Sequence, residues 1–155
     1  MPSLRVAYFV LPPALLKKYQ QNFTYYSSTV PRFDQQLLAN FMRDGHFAKH
    51  LNRMRKIYRK KHDKLIDILK NHYPQIQVSG DAAGMHIVIS FEHTLTEQQL
   101  VNLAKQAHIH ILPLSNYSLT GEQPTQPTFL ICFGNIPLQN IESAIHTLLS
   151  VWQMK

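Results

Sequence analysis

The sequence predicts an α+β fold in which helices cover one face of a small β-sheet. Residues 74–155 show the hydrophobic patterns of strand, strand, helix, strand, strand and helix, in that order. Residues 46–72 contain no proline or glycine, and their apolar side chains recur at the three- and four-residue spacing of one long helix. A chain of 155 residues, 45% of them hydrophobic and 16% charged, is typical of a globular domain with a real core.

The first 45 residues predict one strand and two helices. Residues 4–11 are apolar and partly β-branched and run into two consecutive prolines, which indicates a buried strand. Helices are expected over residues 14–23 and 32–44, with Gly45 ending the second one. A lone buried strand cannot satisfy its own backbone groups. It must therefore pair with a segment outside this chain or with a second copy of it.

A long helix of about 25 residues within 46–72 would form a rod of roughly 37 Å. Lys61 is the only polar residue that interrupts its apolar stripe. The remaining elements are strands over 76–78, 84–91, 109–114 and 128–133 and helices over 94–106 and 137–152. Thr94 and Thr96 are the candidate caps for the first of these two helices.

Cysteine usage and hydropathy indicate a cytoplasmic protein. The single cysteine, Cys132, excludes an internal disulfide and fits a reducing compartment. It falls inside a predicted strand, where an inert core residue is expected rather than a nucleophile. No stretch is long and apolar enough to span a bilayer. The apolar run over residues 7–16 is interrupted by two prolines and lacks a small-residue cleavage site, which argues against a signal peptide.

The net charge of +7 raises the question of an anionic partner. Much of the positive charge lies in the long helix, in residues 49–64, where only Asp63 opposes it. The basic side chains there are Lys49, Arg53, Arg55, Lys56, Arg59, Lys60, Lys61 and Lys64. Such a helix could bind the phosphate backbone of DNA. We favour a solvated linker helix, because its one interleaved aromatic residue, Tyr58, belongs to the apolar stripe.

Nine histidines do not predict a metal site. His46 and His50 are four residues apart on the long helix, and His108 and His110 would share one face of a strand. Neither pair has a cysteine or carboxylate that completes a ligand set. We therefore predict no metal site.

Four short motifs occur in a fixed order along the chain. They are Pro2-Ser3-Leu4-Arg5, the basic stretch over residues 50–61, Ala83-Gly84-Met85-His86, and Phe133-Gly134-Asn135 before the last helix. Together they resemble the C-terminal part of the MocR/GabR-type transcriptional regulators, across essentially the whole chain. Those proteins join an N-terminal winged helix-turn-helix of the GntR type to a domain with the fold type I aminotransferase architecture. The basic helix motif is fairly specific, whereas related aminotransferases carry segments similar to the last two.

The resemblance implies a division of the chain and an assembly. Residues 1–45 would be a remnant of the large lobe of a fold type I pyridoxal 5′-phosphate (PLP)-dependent transferase, 46–73 the connecting helix, and 74–155 the small C-terminal lobe. The full-length parent would bind PLP between its lobes as a homodimer. It would sense a small-molecule effector, an amino acid or amine, and contact DNA only through an N-terminal domain missing here. No membrane is implied, and this chain alone is expected to bind no cofactor.

The resemblance also implies roles for individual residues. Arg5 matches the arginine that contacts the cofactor phosphate, a task suited to a planar guanidinium. The Schiff-base lysine would fall upstream of Met1, so the chain is not catalytic by itself. Gly84, Met85 and His86 match the segment on the substrate or effector side of the pocket.

Two of these positions also have simpler interpretations, and one strand departs from the family pattern. From the strand pattern alone, Met85 would be a core residue and His86 a half-buried residue on the outer face. Fold type I aminotransferases commonly carry an arginine for the substrate carboxylate in the strand that contains Leu130. This sequence has no arginine there.

The predicted function is therefore that of a C-terminal fragment of the PLP- and effector-sensing domain of a MocR/GabR-like regulator. A fragment of a PLP-dependent aminotransferase is the alternative, and a small basic DNA-binding protein is the second. We also expect the isolated chain to self-associate, because the lone strand and the apolar faces of the first helices need cover.

Overall fold

The computed structural model describes residues 6–25, 28–80, 84–118 and 124–154. The chain divides into two compact units, Met1–Asn52 and Arg53–Lys155. The boundary between them falls inside the longest helix. The expected division into 1–45, 46–73 and 74–155 concerns roles in a larger protein and stays a prediction.

The first unit consists of helices. They are α1 (Pro13–Asn22), α2 (Arg32–Arg43) and the beginning of α3 (His46–His72). Gly45 lies between α2 and α3 with a φ of 75°, a left-handed conformation that costs glycine little, and its N–H donates to the Met42 carbonyl at 3.1 Å. None of the described residues of this unit is buried.

The buried strand predicted over residues 4–11 is wrong where it can be compared. Residues 6–12 have no regular structure, and Tyr8 is 88% exposed. The physical reason is pairing, because no described strand lies beside this segment to accept its backbone hydrogen bonds. Phe9 instead packs edge-on against Tyr19 of α1, with ring centroids 5.7 Å apart. Residues 4 and 5 lie outside the described residues.

The second unit contains a four-stranded antiparallel sheet. Its strands are β1 (Gln77–Ser79), β2 (His86–Ser90), β3 (Leu112–Pro113) and β4 (Thr128–Cys132), in the order β1-β2-β4-β3. Helices α4 (Glu97–Gln106) and α5 (Ile141–Val151) complete it, with one-turn 3₁₀ helices at Leu114–Tyr117 and Leu138–Asn140. The predicted order of strands and helices is confirmed.

Three elements begin three or more residues later than predicted, for local reasons. The helix expected from residue 137 begins at Ile141, because a 3₁₀ helix at Leu138–Asn140 precedes it. The strand expected over residues 109–114 pairs only at Leu112 and Pro113, because the chain then turns into a 3₁₀ helix. The helix expected from residue 94 begins at Glu97, and Thr96 is its cap. The Thr96 hydroxyl accepts from the Gln99 amide while the Gln99 side chain accepts from the Thr96 amide, which is a capping box.

The core lies between one face of the sheet and the helices. Cross-strand pairs of buried side chains on β2 and β4 form the sheet side, as in Ile89 opposite Phe129. Trp152 is fully buried, stacks on Phe129 with centroids 4.8 Å apart, and donates its indole N–H to the Leu100 carbonyl at 2.9 Å. Helix α3 joins this core only from Leu65 onward.

No helix within the described residues is both long and apolar enough to cross a membrane.

Candidate functional site

The candidate site lies where β2 begins and β4 ends. The two strands are antiparallel, with His86 opposite Cys132. One further hydrogen bond extends the ladder, because the Phe133 amide donates to the Met85 carbonyl at 3.2 Å. The fold therefore brings together the Gly84–Met85–His86 motif and the Phe133–Gly134 motif, which are almost fifty residues apart in the sequence. We call this end of the β2–β4 pair the corner.

Two glycines shape this corner. Gly84 has a φ of 103°, a backbone conformation that residues other than glycine rarely adopt. This conformation sets the direction in which the chain enters β2. Gly134 lies directly under Met85. A Cβ atom added to Gly134 would stand 3.2 Å from the Met85 sulfur, so a side chain at this position would press on Met85.

Two of the strand-based interpretations are wrong at this corner. Met85 is 41% exposed, not a core residue, because it precedes β2 and packs on Gly134 beyond the end of β4. His86 is exposed rather than half-buried. Both side chains are therefore open to a ligand or to another part of a larger protein.

The outward face of β4 carries Leu130 and Cys132. Leu130 lies between Val88 of β2 and Leu112 of β3. Cys132 is exposed, so its predicted core position is wrong, because the strand alternation directs it away from the core. Partial burial still raises the pKa of the Cys132 thiol, which keeps it protonated and a weak nucleophile at neutral pH.

A mostly apolar cavity of about 300 Å³ opens beside this strand, toward α5. Its lining includes Ile111, Leu130, Cys132 and Leu148. It occurs where the segment before β3 separates from the end of β4, so that the ladder between them is incomplete.

Helix α3 also contacts this corner. The Lys61 ammonium donates to the Gly134 carbonyl at 2.7 Å, and the His62 ring lies 6.0 Å from the ring of Phe133. None of the sequence motifs assigns Lys61 to the site. The signal that could have found it was the interruption of the apolar stripe by one lysine.

Arg5, assigned to the cofactor phosphate, lies outside the described residues. The lysine at this corner, Lys61, donates a hydrogen bond from its ammonium to the Gly134 carbonyl. The described residues contain no group of three or more histidine, cysteine, aspartate or glutamate side chains that could hold a metal ion.

The basic surface of α3 is exposed over its first half. Lys49, Arg53, Arg55, Lys56, Arg59 and Lys60 are all exposed, and none forms an ion pair with a described residue. Farther along, Lys64 pairs with Glu142 of α5 at 3.1 Å. The hydrogen bond and the positive charge of Lys64 lower the pKa of the Glu142 carboxyl.

Comparison with known proteins identifies the fold to which this corner belongs. The family described as aminotransferase class I and II matches residues 1–148. The chain belongs to this family. The predicted resemblance to MocR-type regulators is confirmed as well, since relatives of that kind match nearly all of the chain.

Three relatives illustrate the range of the family. An uncharacterized helix-turn-helix (HTH)-type transcriptional regulator of Bacillus subtilis, YdeL, is 32% identical over 99% of this chain and 33% of its own length. The probable rhizopine catabolism regulatory protein MocR of Rhizobium meliloti is 28% identical over 97% of this chain and 30% of its own. The 2-aminoadipate transaminase of Thermus thermophilus is 26% identical over 77% and 30%. The chain thus spans about a third of the relatives it matches.

Solved aminotransferase structures share the fold. The α-aminoadipate aminotransferase LysN of Thermus thermophilus superposes with a TM-score of 0.74 at 18% identity, over 93% of this chain and 36% of that one. The multiple substrate aminotransferase of Thermococcus profundus gives a TM-score of 0.76 at 14% identity, over 91% and 35%. The predicted α+β part of a fold type I aminotransferase architecture is confirmed.

Proposed function

We propose that this chain is the C-terminal part of the aminotransferase-like, effector-sensing domain of a MocR/GabR-like transcriptional regulator. The observation that carries the proposal is the match of nearly the whole chain to about a third of HTH-type regulators such as YdeL. In such a protein the remaining two thirds would supply the rest of the large lobe and the DNA-binding domain.

The exposed apolar surface of the first unit supports this proposal. Tyr8, Val10, Tyr25 and Phe33 are each more than three-quarters exposed. The face of α3 that precedes Leu65 is likewise not buried within the described residues. Apolar side chains in such a density are usually covered, and the missing part of a large lobe would cover them.

In the proposed parent, PLP would supply the electrophilic aldehyde and a reactive ring, and a lysine upstream of this chain would hold it. Arg5 would bind its phosphate. Gly84, Met85 and His86 would face the effector, an amino acid or amine. The chain by itself would not catalyse a reaction. We propose a cytoplasmic homodimer for the parent, with DNA bound through its N-terminal domain.

The coding sequence upstream of Met1 tests this proposal. We expect it to continue in frame through a lysine a few residues before Arg5 and, farther upstream, a winged helix-turn-helix. The expressed parent should show internal-aldimine absorbance with PLP, and Arg5→Ala should weaken PLP binding. Lys18→Ala, a charge-matched change on α1, should not. An upstream sequence with neither feature would contradict the proposal.

The second candidate is a plain PLP-dependent aminotransferase. The 2-aminoadipate transaminase relative favours it, because the same lobe occurs there in an enzyme. Leu130 argues against it, since the common carboxylate-binding arginine is missing from this strand. Two results together would favour the aminotransferase over the regulator. They are turnover of an amino acid with 2-oxoglutarate by the full-length parent and an upstream sequence that lacks a winged helix.

The third candidate is a DNA-binding protein that acts through α3 itself. The six exposed cations without ion pairs among the described residues favour it. Phosphate binding by them would give an affinity that falls steeply with salt. Titration of the 155-residue chain with duplex DNA at several salt concentrations decides it, since no binding at low salt excludes this candidate.

A further inference from the structure

Lys61 differs from the other lysines of α3 in its surroundings. It falls on the otherwise apolar stripe of the helix, and it is half-buried. Lys56 and Lys60 are exposed, and Lys64 pairs with a carboxylate of α5. A lysine that interrupts an apolar face costs desolvation of its ammonium, so it is expected to have a specific partner.

That partner is a backbone carbonyl at the candidate site. The ammonium donates to the Gly134 oxygen at 2.7 Å, the length of a charge-assisted hydrogen bond. Gly134 lies just beyond β4, where the ladder has ended and its carbonyl has no strand partner among the described residues. The lysine therefore satisfies an acceptor that the sheet leaves open.

The contact extends from Gly134 to the segment at the start of β2. Met85 packs on Gly134, and its carbonyl accepts the Phe133 amide at 3.2 Å. The neighbouring His62 covers the Phe133 ring. A shift of the Gly134 carbonyl would therefore move both the backbone and the side chain of Met85.

We infer that Lys61 is a positioning residue, which ties helix α3 to the Gly84–Met85–His86 segment through the Gly134 carbonyl. That segment faces an effector only if the proposed function holds. The link between α3 and the segment does not depend on the proposed function. In a sensing domain, this link would make the position of Met85 depend on the position of α3.

Lys61→Met tests the link in the 155-residue chain, because methionine keeps an unbranched apolar stem and removes the donor. We expect the Phe133 amide to exchange with solvent at least about tenfold faster, since a hydrogen bond to a charged group is lost nearby. The Met85 methyl resonance should shift. Lys61→Arg, which restores a charged donor, should return both readouts most of the way to the original values.

Lys56→Met is the matched control, with the same chemical change five residues earlier on an exposed site. It should leave both readouts unchanged. Gly134→Ala is a second probe, because its added Cβ would lie 3.2 Å from the Met85 sulfur. It should shift the Met85 methyl resonance while Lys61 remains in place.

Amides of α5 separate positioning from general destabilisation. If Lys61→Met accelerates the Leu148 and Leu149 amides as much as Phe133, the lysine supports the fold as a whole and the inference is overturned. Unchanged exchange at Phe133 overturns it too. Neither result bears on whether the parent senses an effector, which the upstream coding sequence and PLP binding decide.

Discussion

Both units of the chain contain helices, but only the second unit buries side chains among the described residues. Residues 6–52 hold α1, α2 and the start of α3, yet none of the described residues there is buried. From Leu65 onward the same α3 enters a core built with the sheet, α4 and α5. The difference teaches that local sequence is enough to predict a helix, whereas a core requires partners, and the first unit has few of them in this chain.

Replacing one large aromatic residue in each unit should give the largest contrast. Trp152→Ala removes a fully buried indole and its hydrogen bond to Leu100. It should lower the free energy of unfolding by about 3–5 kcal/mol. Phe33→Ala changes a side chain that is 78% exposed and should stay within about 0.5 kcal/mol.

Urea titration followed by far-ultraviolet circular dichroism measures both variants. An equal loss of stability in the two would show that the first unit has a core of its own, contrary to the comparison.

Removal of the first unit should change the association state. The full chain is expected to self-associate through the exposed apolar side chains of residues 6–52. A chain of residues 53–155 should lose most of this association and remain folded, because every buried hydrophobic side chain among the described residues lies within it. Light scattering over a range of concentrations tests both, and a full chain that stays monomeric would contradict the prediction.

The cap of α4 should contribute a smaller, local amount. Thr96→Ala removes the capping box and should cost about 1 kcal/mol. Thr94→Ala alters the other candidate cap, which is exposed and lies two residues before it, and should cost less than about 0.5 kcal/mol. Thermal unfolding of the two variants ranks them, and a larger effect of Thr94 would place the helix start earlier than observed.

The smallest expected effect concerns pH. Because Lys64 lowers the pKa of Glu142 in the folded chain, the pair adds stability above the unfolded pKa of the glutamate. That contribution is lost as pH falls through the lower, folded value. Glu142→Gln should remove this part of the acid dependence and change little else, since solvent screens an exposed pair.

Unfolding curves between neutral and acidic pH would check this. If Glu142→Gln is as acid-sensitive as the original chain, the pair contributes nothing measurable to the pH dependence. Asp34→Asn on α2 is the control, since Asp34 has no ion pair with a described residue.

The sequence predicted those features that depend on neighbours along the chain. The bounds of α3 follow from an apolar period between Gly45 and Tyr73 that only Lys61 interrupts. The α+β lobe follows from alternating strand patterns separated by turn residues. The segment over residues 4–11 has the composition of a buried strand, but its state depends on a partner that sequence pattern alone cannot supply.

The candidate site was predicted through its motifs rather than its contacts. Gly84, Met85 and His86 were chosen by resemblance, and the structure brings Phe133 and Gly134 beside them. The Lys61 contact spans 73 residues of sequence, and no local rule connects those two positions. Arg5 keeps its predicted role as a proposal.

Trp152 is the single tryptophan of the chain, and it is fully buried in the second unit. Its fluorescence therefore reports on one half of the molecule only. Four of the seven tyrosines lie within residues 1–52, so tyrosine signals are weighted toward the other half. The chain thus carries its own pair of optical labels. A molecule that docks onto the first unit would change the tyrosine signal, while the tryptophan signal stayed constant.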